Sequence, residues 1–558
     1  MKLKFSDELH AQKYRSEGET FDDAMARVAG TLASDDPHFH TLLDILRDQR
    51  FLPGGRVQAS VGATKAVTPL NCFMSGDIGD SFVSNEGHIM QRATEAAATM
   101  RLGGGIGTNF STLRPAGARI AKLDSTSSGP LAFMEIFDAV GRAVASSGHR
   151  RGAQMGVLRV DHPDIEAFIH AKNNSTSLTG FNVSVLVTDE FMRAVQEDST
   201  FDLTFGGQVH DTVRARPLWD AIMRSTYDYA EPGVLFIDRI QNENNLSYCE
   251  EITGTNPCGE VPLPPYGACL LGSFNLVKYV TKGTFDWHSF IEDIPPVVEA
   301  LDRVISTAAA WPLPEHQREM ESKRRIGIGV TGLANALEYL GFGYGSPDFC
   351  EFTSRILETL RDEAYLASAG LAEELGAFPL YDEDKFFESP FVQRLPENVQ
   401  SAIREHGIRN SHLLAIAPTG TISLTADNVS SGIEPVFSHR FSRTVHMADG
   451  QRTEEVEDYG VREFNVQGRT ANELTPDEHL AVVEACVPYV DQAISKTINV
   501  PADVPWEDFK NIYFKAWAFG AKGCTTFRNG GKREGILKEE PEAASCFIDP
   551  ETGRRECS

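Results

Sequence analysis

The chain has 558 residues, 41% hydrophobic and 23% charged, an ordinary balance for a globular protein with material for a large core. Its formal net charge is −27, from 52 basic and 79 acidic residues, a field that repels a phosphate backbone. A nucleic-acid polymer is thereby excluded as partner, while a local nest of backbone N–H groups can still hold a small phosphorylated ligand.

No run of about 18 or more apolar residues reads as a membrane span. The opening Met1-Lys-Leu-Lys-Phe-Ser-Asp-Glu8 lacks a secretory core, so the expected setting is the cytoplasm. Residues 1–50 carry helical apolar spacing, as in Glu19-Thr-Phe-Asp-Asp-Ala-Met-Ala-Arg-Val28. The turn-rich Phe51-Leu-Pro-Gly-Gly-Arg56 precedes Cys72, and a helix from about His88 to Arg101 stops at the glycines of Gly103 to Gly107. Strands at Met155–Val160, Phe181–Val187 and Gly233–Ile237 alternate with helices at Pro163–Ala171, from an N-cap at Asp189, and at Pro217–Tyr229. That alternation predicts an α/β fold with parallel pairing and leaves open sheet and barrel both open. Residues 241–267 form a polar, proline-bearing loop of a length that is usually functional. A long helix is expected from Pro476 to Thr497. The charged stretch from Lys538 onward lacks periodicity and reads as a mobile tail carrying Cys546 and Cys557.

The nine cysteines are odd in number, irregularly spaced and without a Cys-x-x-Cys, so neither a disulfide framework nor a side-chain metal site is expected. Each is then a buried hydrophobe, a catalytic thiol or a residue with no special role. The long loop holds Asn256-Pro-Cys258-Gly-Glu260. In an extended segment alternate side chains share a side, which puts an amide, a thiol and a carboxylate on one surface. Those groups suit orientation of a hydroxyl, nucleophilic or hydrogen-atom chemistry, and general base catalysis. A plain loop with a buried cysteine and a solvated glutamate accounts for the same residues. Ala417 to Ser423 follows the strand-like Leu413-Leu-Ala-Ile416 and offers small residues, three hydroxyls and backbone N–H groups suited to an anion; an ordinary glycine–threonine turn is the alternative. Gly327-Ile-Gly329-Val-Thr-Gly332 matches a dinucleotide fingerprint, but Lys323-Arg-Arg325 stands where the preceding buried strand should run, which argues against it.

Asn256-Pro-Cys-Gly-Glu260, with Cys269 beyond it, resembles the finger loop of ribonucleotide reductases. Four more stretches resemble that family in the same order: Pro69-Leu-Asn71-Cys72-Phe73, Gly103-Gly104-Gly-Ile-Gly-Thr-Asn-Phe-Ser111, Arg325-Ile-Gly-Ile-Gly-Val-Thr-Gly-Leu-Ala334 and Ala417-Pro418-Thr419-Gly420-Thr421-Ile422-Ser423. Together they span most of residues 50–530. The resemblance implies a ten-stranded α/β barrel over residues 51–535, with the finger loop 254–269 threaded through its centre. Residues 1–50 would then be a helical N-terminal segment and 536–558 a redox tail. It implies that Cys258 is the thiyl that takes the 3′ hydrogen of a ribose, that Glu260 accepts the 3′-hydroxyl proton and that Asn256 holds the sugar. Cys72 and Cys269 would supply two electrons and end as a disulfide, which needs their Cα atoms within about 4.4–6.8 Å. Asn71, Gly103, Gly104, Pro257, Gly259 and the loop Pro418, Thr419, Gly420, Thr421, Ile422 would contact substrate. Cys546 and Cys557 would reduce the spent pair by thiol–disulfide exchange, although their spacing is wider than the tight tail pair common in the family. Ser147-Gly-His-Arg150-Arg151-Gly-Ala-Gln154-Met155 resembles the loop that links an effector nucleotide to the substrate; a solvated basic turn is the alternative.

A cofactor must supply the radical. Lys522-Gly-Cys-Thr525-Thr526-Phe-Arg528 has threonines where oxygen-dependent relatives carry adjacent tyrosines, and no Tyr-Tyr pair occurs in the chain. The C-terminal motif of the glycyl-radical type is also missing. Residues 522–533 resemble the adenosylcobalamin-dependent type, which implies adenosylcobalamin as cofactor and ribonucleotides, taken as diphosphates, as substrates. A nucleotide effector, a thioredoxin- or glutaredoxin-like reductant, and a monomer or homodimer complete that expectation. Cys72 comes too early to leave room for an ATP-binding cone, so overall control by ATP and dATP is expected to be absent. The alternatives are the large subunit of a two-protein metal-radical reductase, and an inactive nucleotide-binding homologue.

Overall fold

The computed structural model describes residues 3–64, 67–121, 123–144, 153–173, 178–281, 283–447 and 450–532, with the strand segments Lys538–Glu539, Cys546–Ile548 and Arg555–Cys557. Three helices open the chain, Lys4–Tyr14, Phe21–Leu32 and Asp36–Arg47. The second begins where Thr20 and Asp23 satisfy each other's backbone N–H groups in a reciprocal cap, a feature that stabilises a helix by about 1 kcal/mol. The first lies against the segment beyond residue 420, with Ser6 Oγ donating to Leu424 O at 2.6 Å.

The strands that position the site are β1 (Cys72–Met74), β2 (Gly105–Asn109), β3 (Gln154–Arg159), β4 (Phe181–Val187) and β5 (Gly233–Phe236). They are followed by β6 (Ala268–Cys269), β7 (Leu271–Asn275), β8 (Gly327–Thr331), β9 (Thr497–Val500) and β10 (Gly523–Arg528). Eight of them form one sheet in the order β6-β1-β2-β3-β4-β5-β10-β9. Strands β1 to β5 run parallel, β10 is antiparallel to β5, and β6 is antiparallel to β1. A second sheet joins Phe51–Pro53, β7 and β8. Buried runs such as Val183-Ser-Val-Leu-Val187 explain the parallel arrangement, because a strand covered on both faces needs apolar residues on both. The architecture is therefore α/β, with a large mixed sheet.

Two apolar cores flank the site. One packs the helices of the first half on β2 to β5 around Phe110, Phe137, Phe181 and Trp219. The other packs helix Trp287–Thr307 against both the N-terminal helices and helix Pro347–Leu375. A small cluster of Met74, Val261, Leu263, Cys269, Leu271, Ala415 and Ala417 lies apart from both. Among the described residues, no helix is long and apolar enough to cross a membrane.

The structure corrects several expected elements. The helix from Pro476 ends at Cys486, because Pro488 cannot continue it, and the chain beyond runs extended so that Ile494 bridges Ile416. The helix after β4 is capped by Thr188 and not by Asp189, since the Thr188 side chain accepts from Phe191 N. The fingerprint glycines Gly327 and Gly329 lie inside β8, and only Gly332, at φ 74°, opens a helix. A Cβ on Gly329 would meet Ala415 O at 2.5 Å, so these glycines admit the neighbouring extended segment and form no phosphate turn.

Candidate active site around the finger loop

The long loop closes into a narrow hairpin. Gly254–Thr255 pairs with Pro262–Leu263, Gly254 facing Leu263 and Thr255 facing Pro262. Its tip is a turn in which Gly259 N donates to Asn256 O at 3.0 Å with Gly259 at φ 82°. Asn256 Oδ1 also accepts from Val261 N at 3.0 Å. Residues 256–260 are thus not extended, and the alternation expected there is corrected. Pro257 and Gly259 enforce the turn, which leaves Cys258 exposed while Asn256 and Glu260 are buried.

Two asparagines hold the hairpin on the sheet. Asn109 Nδ2, at the end of β2, donates to Thr253 O at 2.9 Å, and Asn182 Nδ2 on β4 donates to Pro257 O at 3.0 Å. Sequence reading missed both, although an amide inside an otherwise apolar strand was a usable signal. The glycines of β2 make the approach possible. A Cβ on Gly107 would meet Thr255 O at 2.1 Å, and one on Gly105 would meet Pro257 Cγ at 3.1 Å and Cys72 Sγ at 3.2 Å. The proline beside Cys258 and the sulfur of Cys72 therefore share the space above one glycine. Gly107→Ala is expected to push the hairpin off the sheet and destabilise the protein by about 1–3 kcal/mol, readable as a lower urea midpoint with an unchanged slope.

Cys269 sits directly across the β6–β1 ladder from Cys72. Cys269 is 1% exposed. Burial first, and then contact with the Cys72 thiol, push its thiol well above the ordinary range, with the Glu260 carboxylate adding to the rise. The thiol accordingly stays protonated at neutral pH. Burial likewise pushes Glu260 up to about 7, opposed by the neighbouring Asn256 amide. No hydrogen bond of ordinary geometry joins Asn256 to Glu260, because Asn256 Nδ2 and Glu260 Oε2 are both buried without a partner. An orphaned buried donor or acceptor costs roughly 1–3 kcal/mol, a cost that the hydroxyls of a bound ligand would relieve at this point.

The loop Pro418 to Ile422 begins just past Ala417, which packs in the same cluster as Val261, Leu263 and Cys269. Thr419 adopts φ 50° and caps the short helix Gly420–Thr425. Its Oγ1 accepts from Gly432 N at 2.7 Å and shares a 2.9 Å bond with Thr331 Oγ1. This hydroxyl is spent on the fold, so any anion would meet the first-turn N–H groups, which lack partners within a helix. Gly103, at φ 90°, stops the helix Ile89–Arg101, and Gly104 lies against Phe73, where a Cβ would meet the ring at 2.6 Å. Asn71 precedes β1 and donates its backbone N–H to Cys269 O at 3.2 Å. Of the expected effector loop, Arg150 and Arg151 lie outside the described residues. Gln154 is no loop residue; it starts β3, buried, with Nε2 donating to Phe137 O at 3.1 Å. In the tail, Cys546–Ile548 and Arg555–Cys557 pair antiparallel with Cys546 opposite Cys557.

The family model "Ribonucleotide reductase, barrel domain" matches residues 71–527. The vitamin B12-dependent ribonucleoside-diphosphate reductase of Mycobacterium tuberculosis (strain CDC 1551 / Oshkosh) is 36% identical over 523 residues, covering 88% of this chain and 72% of the relative. The protein of the same name from Thermoplasma acidophilum is 32% identical over 551 residues, covering 93% and 68%. A vitamin B12-dependent ribonucleotide reductase of Streptomyces coelicolor is 27% identical, covering 88% and 60%.

Proposed function

The chain belongs to the ribonucleotide reductase family, and on that premise we propose that it reduces ribonucleoside diphosphates to 2′-deoxyribonucleotides with adenosylcobalamin as cofactor. The observation that carries this reading is the placement of Cys72 opposite Cys269 beneath the tip that bears Cys258, beside the bare amide of Asn256 and the carboxyl of Glu260. Cys258 fits a radical delivered from outside the chain, because it is the exposed residue of an otherwise largely buried hairpin. Adenosylcobalamin, when bound, would supply the radical chemistry that converts the Cys258 thiol to a thiyl.

The chain's own residues then do the rest. Asn256 Nδ2 holds the sugar hydroxyls in place. The Cys258 thiyl takes the 3′ hydrogen atom, and Glu260 accepts the proton of the 3′-hydroxyl. The 2′-hydroxyl leaves as water, with a proton from the Cys72–Cys269 pair. That pair gives one proton to the departing water and the second, with two electrons, to C2′ and ends as a disulfide; Glu260 then returns its proton to the 3′ oxygen while Cys258 returns its hydrogen atom to C3′ and is a thiyl again. The high-lying Cys269 thiol suits this role, since it enters protonated. The first-turn N–H groups after Thr419 are assigned to the substrate phosphates, and the Cys546–Cys557 tail to re-reduction by exchange with a thioredoxin- or glutaredoxin-like protein.

The barrel is part of the proposal. Ile328 bridges Leu414 and Ile416 bridges Ile494, which runs on into β9, while β6 runs on into β7. These links support a ten-stranded ring over residues 51–535, with the helical residues 1–50 packed outside it. The test is an anaerobic assay of the purified chain with a dithiol and nucleoside diphosphates. Deoxynucleotide is expected only when adenosylcobalamin is added. Turnover without it, or only after addition of a metal-containing partner protein, overturns the cofactor assignment.

A further inference from the structure

Asp491, Gln492 and Ala493 connect helix Pro476–Cys486 to β9, and each is bonded to a different part of the site's framework. Asp491 is 2% exposed; its carboxylate accepts from Leu413 N at 2.7 Å, Leu414 N at 2.9 Å and Tyr365 Oη at 2.7 Å. Gln492 Nε2 donates to Ile326 O, just before β8, at 2.8 Å, and to Leu414 O at 3.2 Å. Ala493 N donates to the backbone oxygen of Glu260 at 3.0 Å. Lys522, at the start of β10, turns its ammonium back on the carbonyls of Asp491 and Gln492.

We infer that Lys522 is a positioning residue for Glu260, because its ammonium clamps the two carbonyls that precede the Ala493 N–H and so fixes where the Glu260 backbone is held. This rests on the ribonucleotide-reduction reading above. Lys522 touches no reacting group and acts through Ala493. Lys522 is half-buried, and an ammonium drawn out of water is expensive and persists only with partners. Here the partners are two main-chain oxygens, with the carboxylates of Glu243 and Asp491 favouring the charge and Arg394 opposing it. Burial nonetheless lowers the lysine to about 8. Packing alone would be met by a methionine at this position; holding two carbonyls in one orientation requires a donor. The geometry matters because misplacing a catalytic group by about 1 Å can cost roughly 10²-fold in rate.

The test compares the wild-type chain with Lys522→Met, Lys522→Arg and the isosteric Tyr365→Phe, which removes one of the three donors to Asp491. In steady-state assays with adenosylcobalamin, Lys522→Met is expected to lower kcat about 10²-fold with KM nearly unchanged. Lys522→Arg should recover part of that loss, and Tyr365→Phe should lower kcat by roughly 3- to 10-fold. A second readout needs no turnover: the infrared carboxyl band of Glu260, assigned by its loss in Glu260→Gln and titrated with pH. Glu260 faces Asn256 and Cys269, and Lys522→Met is expected to shift its titration towards the ordinary carboxylate range as the tip loosens. If the wild type shows no turnover but the band shifts as stated, the functional reading fails and the positioning inference stands. If folded Lys522→Met, or Tyr365→Phe where Lys522→Met does not fold, keeps wild-type kcat and an unmoved carboxyl titration, the inference is overturned.

Discussion

Replacing Cys258 with alanine is expected to abolish nucleotide reduction, by at least about 10⁴-fold in kcat, the scale on which removal of a reacting group acts. The same change should leave the thermal midpoint within error. Cys258 is exposed at the turn, and exposed substitutions away from special features usually stay within about 0.5 kcal/mol. Nucleotide binding should survive too, because Asn256, Glu260 and the loop after Ala417 are untouched. That combination separates a hydrogen-atom donor from a structural thiol. An inactive nucleotide-binding homologue would instead show no difference between wild type and Cys258→Ala in any assay, and a measurable wild-type turnover retained by the alanine variant would falsify the assignment.

Glu260→Gln carries the second large effect, on rate and on stability at once. A carboxyl near pH 7 is well placed to take a hydroxyl proton, and losing a positioned base costs roughly 10²- to 10⁴-fold. The wild-type rate is expected to rise with pH through about 7, where Glu260 ionises, and the glutamine variant should lack that limb. The stability effect has a definite sign. Glu260 binds its proton more tightly in the folded protein than its ordinary value of 4.5 allows. Its contribution is therefore fully present below pH 4.5 and lost as pH rises through about 7. Above that pH the wild type carries a buried carboxylate, and the glutamine variant should be more stable by about 3 kcal/mol. The gap should close as pH falls towards 4.5. Urea unfolding of both proteins at three pH values measures it; a gap that is constant across pH contradicts the ionisation assigned to Glu260.

The parts of the fold legible in the sequence were those whose signal is local. β4 lies where its β-branched run places it, and helix Ile89–Arg101 starts and stops within a residue of its expected bounds. Residues 490–496 were not legible. Pro488 already marks the helix end, but apolar spacing continues helix-like past it, and it is the pairing with Leu413–Ile416 that settles the path of these residues. The tip of the finger loop shows the reverse: Pro257 and Gly259 encode a turn locally, and that turn overrides the alternation of an extended strand. The meeting of Cys72 with Cys269 could not come from spacing at all, because it depends on β6 adding to the edge of the sheet beside β1. The glycines of β2 look like a helix stop and nucleotide cradle in the sequence. In the fold, Gly105 and Gly107 make room for the hairpin and Cys72, a close approach that no local pattern encodes.

The most direct test of the account follows one catalytic cycle in a chain whose tail cysteines are both changed to serine, Cys546→Ser and Cys557→Ser, so that nothing can re-reduce the pair. The protein is reduced, stripped of dithiol and mixed anaerobically with adenosylcobalamin and a ribonucleoside diphosphate, then alkylated and digested. One deoxynucleotide per active chain is expected, matched by an equal amount of a peptide joining Cys72 to Cys269 through a disulfide. Deoxynucleotide formed while both of these thiols remain open to alkylation would contradict the account.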